Sequence, residues 1–359
     1  MNVLLSTTVF LGSLYHRMSE PARAVQEADL GIQVTVQRGL KTTMAPDPQN
    51  PGGPMVVRDV DAQGADVVVL QLPKTKEMLD CLRLLQAQGV AVVVELDDHL
   101  TALPPGHQGH DVLIRKGVGR IAEACAREAD FVTVSTPNLL KEYGSRGHGA
   151  VVPNAIPRRI AELPPAYERR PDVVTVGWTG TVGTHPYDLQ EMGSGLQQAL
   201  DRTRGRSRFA IMGGAADAKH RLRLAEQPEH IPWVEDVDAF TTALGERFDV
   251  GVAPLRIDSF NNCKSWLKVM EYSARGVFAV RSPSAEYERL GLGYRAKRPR
   301  DWATAIFRAV EDADWRREQA AAAREQVLAH HLTEHTAELW AGAWRQAREI
   351  RSRADRIGA

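Results

Sequence analysis

Short unbroken apolar runs alternate with longer amphipathic stretches along the whole chain of 359 residues. In the first half the runs are Met1–Thr7, Ile32–Gln37, Asp66–Leu72, Val90–Leu96, Asp130–Ser135 and Ala150–Val152. Several are continuous Val/Leu/Ile segments, the pattern of strands buried on both faces of a parallel sheet. Between them, apolar positions spaced at three and four residues predict helices such as Lys76–Gln88 and Ile114–Arg127. The second half repeats the plan, with strands expected at Val173–Trp178, Arg208–Met212, Ile231–Val234, Asp249–Ala253 and Val277–Arg281. Helices are expected at Leu189–Arg202, Val237–Arg247, Ser265–Arg275 and Asp301–Asp312. Strand–helix alternation in two halves predicts two doubly wound α/β domains.

The Pro-rich segment Pro153–Pro171 suits an interdomain linker, and Ala45–Pro54 reads as an exposed loop. These breaks place a first domain at 1–155, a second at 156–330 and a terminal helix at 331–359. In that helix Leu339, Trp340, Ala343, Trp344, Ala347 and Ile350 form one apolar stripe, which must dock on something. The apolar start Val3–Tyr15 resembles a signal-peptide core, but no positive region precedes it and Gly12 interrupts it. A buried first strand followed by a glycine turn is the preferred reading. No stretch approaches the roughly 20 apolar residues needed to span a bilayer.

Charge narrows the partners. Lys plus Arg and Asp plus Glu are both 45, so the formal charge is zero and the simplest case for a nucleic-acid or membrane-surface binder falls away. The basic residues are nine lysines against 36 arginines, a skew that most simply reports a GC-rich coding source. Cys81, Cys125 and Cys263 are far apart and odd in number, which argues against a zinc site or disulfide framework and for a reducing cytoplasm.

Candidate chemistry concentrates in Asp249–Ser282, where a buried strand ends at Pro254 and a polar loop leads into a helix expected from about Ser265. Lys264, Ser265, Lys268 and Glu271 recur at spacings of three or four, so they are expected on one face near the helix start. Lysine there opposes the positive end of the macrodipole. An anion held between the lysines and the free N–H groups resolves the conflict, and a diphosphate fits. A second candidate is Val173–Leu189, where a strand runs into Gly177, Gly180 and Gly183, then Thr184, His185 and Asp188. Glycines after a strand let backbone N–H groups approach phosphate oxygens. In the first half, Glu95, Asp97, Asp98 and His99 end a buried strand, where open α/β sheets bind ligands.

The Asp249–Ser282 segment resembles the nucleotide-sugar site of GT-B glycosyltransferases, most closely the retaining group 1, or family 4, enzymes. Their E-x7-E motif is matched by Glu271 at its second glutamate, which implies a ribose contact, whereas Cys263 stands at the first. A sub-branch with the pattern N-x-x-K-S-x-x-K-x-x-E-Y is matched by Asn261, Lys264, Ser265, Lys268, Glu271 and Tyr272, and its T-H-x-x-D-L run by Thr184, His185, Asp188 and Leu189. The resemblance implies two Rossmann-like domains facing across a cleft, with the C-terminal helix packing back on the first. It implies a donor phosphate site of Gly12, Ser13, Gly180, Thr181, Lys264, Ser265 and Lys268. A nucleobase loop is implied at Trp233, Val234 and Glu235. Asp97, His185 and Lys264 are the catalytic candidates, with Asp97 at the position where many relatives carry a histidine.

The expected function is transfer of a sugar from a nucleotide-diphosphate sugar to an acceptor hydroxyl, with retention, no metal and no cofactor beyond the donor. Two other readings stay open: a nucleotide-sugar 2-epimerase of the same fold, and a GT-B binding module that has lost catalysis. The acceptor is not specified; it can be a saccharide, a lipid-linked saccharide, a protein side chain or a hydroxylated DNA base. The nucleic acid is not favoured, because Arg345, Arg348, Arg351, Arg353 and Arg356 read as a solvated helix face.

Overall fold

The computed structural model describes residues 1–144 and 147–358, so the last residue of the terminal segment lies outside the described residues. The chain divides into two compact units. The first is Met1–Leu103, His110–Pro153 and Thr333–Ala359, and the second is Pro104–Gly109 and Asn154–Leu332.

The first unit holds β1 (Asn2–Thr7), β2 (Gln33–Arg38), β3 (Lys41–Ala45), β4 (Val56–Asp61), β5 (Val67–Gln71), β6 (Ala91–Leu96), β7 (Phe131–Val134) and β8 (Gly149–Val151). Six of them form a parallel sheet in the order β2-β1-β5-β6-β7-β8. Strands β3 and β4 pair antiparallel as a separate hairpin, and the expected loop at 45–54 is its connection. The hairpin was not expected, because Lys41–Ala45 is exposed and carries no core-facing alternation. The apolar start is β1, whose Val3, Leu4 and Leu5 are buried.

Two corrections follow from packing in this unit. The positive φ after β1 falls on Leu11, and Gly12 sits inside the first turn of the following helix, so no glycine turn forms there. That helix runs from Leu11 to Glu27 with a π-helical segment at Tyr15–Ser19. The terminal helix Ala337–Gly358 buries Trp340, Ala343, Trp344 and Ala347 against β5, β6 and β7. Leu339 is exposed, and Ala337 and Ala341 take its place in the stripe. Its arginines are also less solvated than expected. Arg345 donates to the Leu30 carbonyl at 2.8 Å, Arg348 pairs with Asp66 at 3.1 Å and Arg351 with Asp130 at 2.5 Å. These bonds sew the helix to the unit, while Arg353 remains on the exposed face.

The second unit holds β9 (Val174–Thr181), β10 (Ser207–Gly214), β11 (Glu229–Ile231), β12 (Val250–Ala253), β13 (Phe278–Arg281) and β14 (Tyr294–Arg295). All are parallel, in the order β11-β10-β9-β12-β13-β14. This is the dinucleotide-fold order, with its reversal between β9 and β12. The expected linker is not a solvated tether. Ile160, Ala161 and Ala166 are buried in the core of this unit, where Arg275 donates to the Ile160 and Pro164 carbonyls and Arg324 to those of Ala161 and Leu163. Prolines keep this stretch extended and remove donors, and the two arginines satisfy its carbonyls.

Candidate donor-binding site

Open α/β sheets bind ligands beyond the carboxyl ends of strands at the point where strand order reverses. In the second unit that point is the end of β9 beside the loop after β12. Strand β9 runs three residues further than expected, to Thr181, and Gly180 takes φ +139°. Beside it Gly213, at φ +125°, ends β10 so close that a side chain there would strike the Gly180 carbonyl. Two adjacent strand ends therefore set glycine backbone side by side, with Gly180 half-buried and Gly213 buried. The Thr181 carbonyl accepts from the Thr184 hydroxyl at 2.9 Å, closing a short 3-10 turn, Val182–Thr184.

The next residues converge on one carboxylate. Asp188, 2% exposed, places Oδ2 at 2.6 Å from His185 Nδ1, while its Oδ1 accepts from the Arg256 N–H at 2.9 Å and from Asn261 Nδ2 at 2.7 Å. Burial opposes ionisation of Asp188, but the His185 hydrogen bond and charge, the Arg256 N–H and Lys264 together hold it below the usual carboxylate range. Burial pushes His185 down to about 4 against the pull of the Asp188 hydrogen bond, and the Lys268 and Lys264 charges push the same way. The imidazole is therefore neutral at pH 7.

The helix after the loop begins at Leu267, not Ser265, and runs to Ala274. A 3-10 turn at Asn261–Cys263 takes up the preceding residues and Lys264 follows it in extended conformation. Lys268 and Glu271 thus share the helix, while Lys264 and Ser265 approach from the loop. Lys264 Nζ lies 4.3 Å from the Phe260 ring centroid. Lys268 Nζ donates to the Thr179 carbonyl, one residue before Gly180, and sits 4.7 Å from the Trp178 ring centroid. Burial pushes its pKa down to about 8, with Glu271 and Asp188 opposing and Lys264 assisting. Glu271 is 8% exposed at the next turn. Ser265 Oγ accepts from Asn154 Nδ2 at 2.8 Å, and the Trp266 indole donates to the Asn154 carbonyl at 3.0 Å.

Trp233 leaves the sheet beyond β11, with Val234 and Glu235 following before Asp236 caps the helix Val237–Arg247. Its ring is 44% exposed, lies 5.3 Å from that of Phe240, and borders Gly213. A large apolar ring left in solvent beside a bare strand end suits stacking on a planar ligand.

Gly12, Ser13 and Asp97 belong to the first unit. There Thr7 donates to Gln71 Oε1 at 2.5 Å, Gln71 Nε2 donates to Ser13 Oγ at 3.1 Å, and Ser13 donates to Asp97 Oδ2 at 2.5 Å. The Ser13 hydroxyl proton is thereby committed to Asp97. Glu95 is fully buried, bonded to Arg17 Nε at 2.7 Å and to the Thr133 hydroxyl. Burial raises its pKa despite both partners.

Several site residues were not singled out from sequence. Asp188 and Asn261 stood in motifs without a role, and Trp178, whose ring carries Lys268 on its face and meets His185 edge-on at 5.6 Å, had no signal beyond being an apolar strand residue. Among the described residues, no group of three or more His, Cys, Asp or Glu side chains is placed to hold a metal ion, and no helix is long and apolar enough to cross a membrane.

Two Rossmann-like units with these strand orders and a C-terminal helix returning to the first define the GT-B fold of glycosyltransferases. Residues 194–342 match the family described as Glycosyl transferase-like. No curated protein sequence matches the chain. Among solved structures, a glycosyltransferase from Rickettsia africae superposes with TM-score 0.63 at 11% identity, covering 96% of this chain and 98% of that one. Anabaena HepE in complex with UDP and glucose gives TM-score 0.63 at 14% identity, with 95% and 98% covered. Staphylococcus aureus TarM, in a complex that includes UDP, gives TM-score 0.58 at 13% identity and covers 77% of this chain. The chain spans about half the length of TarM, 55%. At these identities the structures share a fold with this chain.

Proposed function

We propose that the protein is a retaining glycosyltransferase that moves a sugar from a nucleotide-diphosphate sugar to an acceptor hydroxyl without a metal ion. The observation that carries this reading is the meeting of the helix Leu267–Ala274 with the glycine turn ending β9, through the bond from Lys268 to the Thr179 carbonyl. Bare backbone at Gly180 and Thr181 takes the diphosphate, Lys264 and Lys268 supply the counter-charge, Glu271 accepts from the ribose hydroxyls, and the Trp233–Glu235 loop holds the base. The solved neighbours with UDP or UDP-glucose support a uridine donor.

In the reaction the bond from the anomeric carbon to the phosphate oxygen breaks as the acceptor oxygen bonds that carbon. The acceptor proton passes to the leaving phosphate. Negative charge grows on the β-phosphate, so a fixed ammonium there stabilises the transition state more than the ground state. Asp97 in the first unit is assigned to the transferred sugar. Three buried free thiols suit a reducing, cytoplasmic setting.

The test is turnover of UDP-glucose and other nucleotide sugars in excess EDTA, with acceptor pools read by mass spectrometry. Sugar transfer that survives chelation is the expected result. Loss on chelation with recovery in Mg²⁺ overturns metal independence, and conversion of the donor sugar without an acceptor identifies an epimerase. Nucleotide binding with neither transfer nor hydrolysis makes the protein a binding module, the outcome that Cys263 at the family's glutamate position would explain.

A further inference from the structure

We infer that His185 reads a hydroxyl of the transferred sugar as a hydrogen-bond acceptor at Nε2, and that Asp188 is the positioning residue that fixes this tautomer. The inference rests on the nucleotide-sugar reading above. It starts from which atom owns the proton between His185 and Asp188. The Asp188 carboxylate already accepts two donors on Oδ1, the Arg256 N–H and the Asn261 amide, and receives His185 Nδ1 on Oδ2 at 2.6 Å. A carboxylate so surrounded is an acceptor at every site, so the proton belongs to Nδ1. A neutral imidazole with its proton on Nδ1 has a lone pair on Nε2. Nε2 has no hydrogen-bond partner among the described residues, and the ring is held edge-on by buried Trp178. The depressed histidine pKa agrees with this neutral form.

The lone pair selects its ligand. Phosphate oxygens also carry lone pairs, so a diphosphate facing Nε2 would be repelled, and the nearby lysines already supply that anion's donors. Nucleotide sugars donate hydrogen bonds from the base, the ribose hydroxyls and the sugar hydroxyls. The base and the ribose are assigned to the Trp233 loop and Glu271, which leaves a sugar hydroxyl for His185. This changes the role expected from sequence: His185 is a specificity determinant for the donor sugar instead of a catalytic candidate.

Asp188→Asn tests it. Its amide oxygen can keep the Arg256 and Asn261 bonds while its NH₂ donates to His185 Nδ1, so the imidazole proton moves to Nε2 with little change in shape. Long-range ¹H–¹⁵N NMR of histidine-labelled protein at pH 7 should show His185 protonated on Nδ1 in the native protein and on Nε2 in the variant. Calorimetry with UDP and with the best bound of UDP-glucose, UDP-galactose and UDP-N-acetylglucosamine then reads the sugar contact. Affinity for the UDP-hexose should fall about 10-fold in Asp188→Asn, the scale of one lost hydrogen bond, with UDP changed less than about 2-fold. His185→Gln, whose carbonyl can stand in for Nε2, should retain most of the hexose preference, and His185→Phe should lose it. These two cover the case in which Asp188→Asn fails to fold. Native His185 protonated on Nε2 overturns the tautomer, and equal weakening of UDP and UDP-hexose overturns the sugar contact. If the native protein binds neither ligand, the nucleotide-sugar reading fails and the sugar contact with it, while the NMR result still reports the tautomer.

Discussion

The carboxyl end of the first sheet gathers acids, Glu95, Asp97 and Asp98, whereas the equivalent edge of the second gathers Lys264, Lys268 and the neutral His185. In the first unit, Arg17 is fully buried against Glu95, donates to the Val152 carbonyl at 2.7 Å and lies 4.7 Å from the Trp340 ring centroid of the terminal helix. Its charge is spent inside the unit, joining β6, the first helix and the terminal helix. In the second unit the cations stand beside bare backbone, at a sheet edge whose one central carboxylate, Asp188, is occupied by three donors. One topology thus serves two ends: an ion pair that organises packing, and a pair of cations at the strand ends where the proposed diphosphate would bind.

Breaking the first pair should cost stability and spare binding. Arg17→Met leaves Glu95 as an uncompensated buried charge, so unfolding free energy should drop by about 3–5 kcal/mol in denaturant titrations. UDP affinity should be unchanged wherever the fold persists, and a matching loss of affinity would show that the contrast between the units is false. Lys264→Ala should behave in the opposite way. It should lower kcat by about 10²–10³-fold with little change in donor KM, the scale of losing a preorganised oxyanion donor. Arginine at 264 should rescue in part, because its planar fork needs different geometry. A variant that loses only thermal stability would make Lys264 structural.

Smaller effects sharpen the same contrast. Glu271→Gln should weaken UDP binding by about 1–3 kcal/mol in calorimetry, the range for a hydrogen bond to a charged group; unchanged affinity would remove the ribose contact. Lys268 gives the smallest and most pH-dependent signal. With its pKa near 8, it is charged at pH 7 and loses its proton as pH rises through about 8, so UDP affinity should decline there. Lys268→Arg should flatten that decline. For stability the sign reverses. Between about 8 and the ordinary lysine value the unfolded chain binds the extra proton, so stability should rise with pH across that window and Lys268→Met should abolish the rise. A pH-independent difference between native and Lys268→Met protein would show that this amine does not titrate there.

Much of the architecture was legible because it rests on local pattern. Continuous Val/Leu/Ile runs marked nearly every sheet strand, and Val237–Arg247 was readable as a helix, which the structure shows capped by Asp236. The edge strands of the second sheet were not: β11 lies at Glu229–Ile231, upstream of the expected run, and β14 has two residues. Such edges are defined by pairing to a neighbour, and their own composition carries little of it. Lys264, Lys268, Glu271 and His185 stood out as residue types at informative spacing, but their partners did not.

By itself the sequence determined the two-fold strand–helix repeat, the positions of the bare glycines and the clustering of two scarce lysines at the start of one helix. These are properties of neighbours along the chain, governed by side-chain period and by which residues tolerate a positive φ. Tertiary structure alone decided that Lys268 would reach the Thr179 carbonyl, that Asn261 would complete the shell around Asp188, and that Arg17 would be spent on Glu95. Each of those bonds joins residues more than 70 positions apart, and each exists because burial makes an unpartnered polar group too costly to leave.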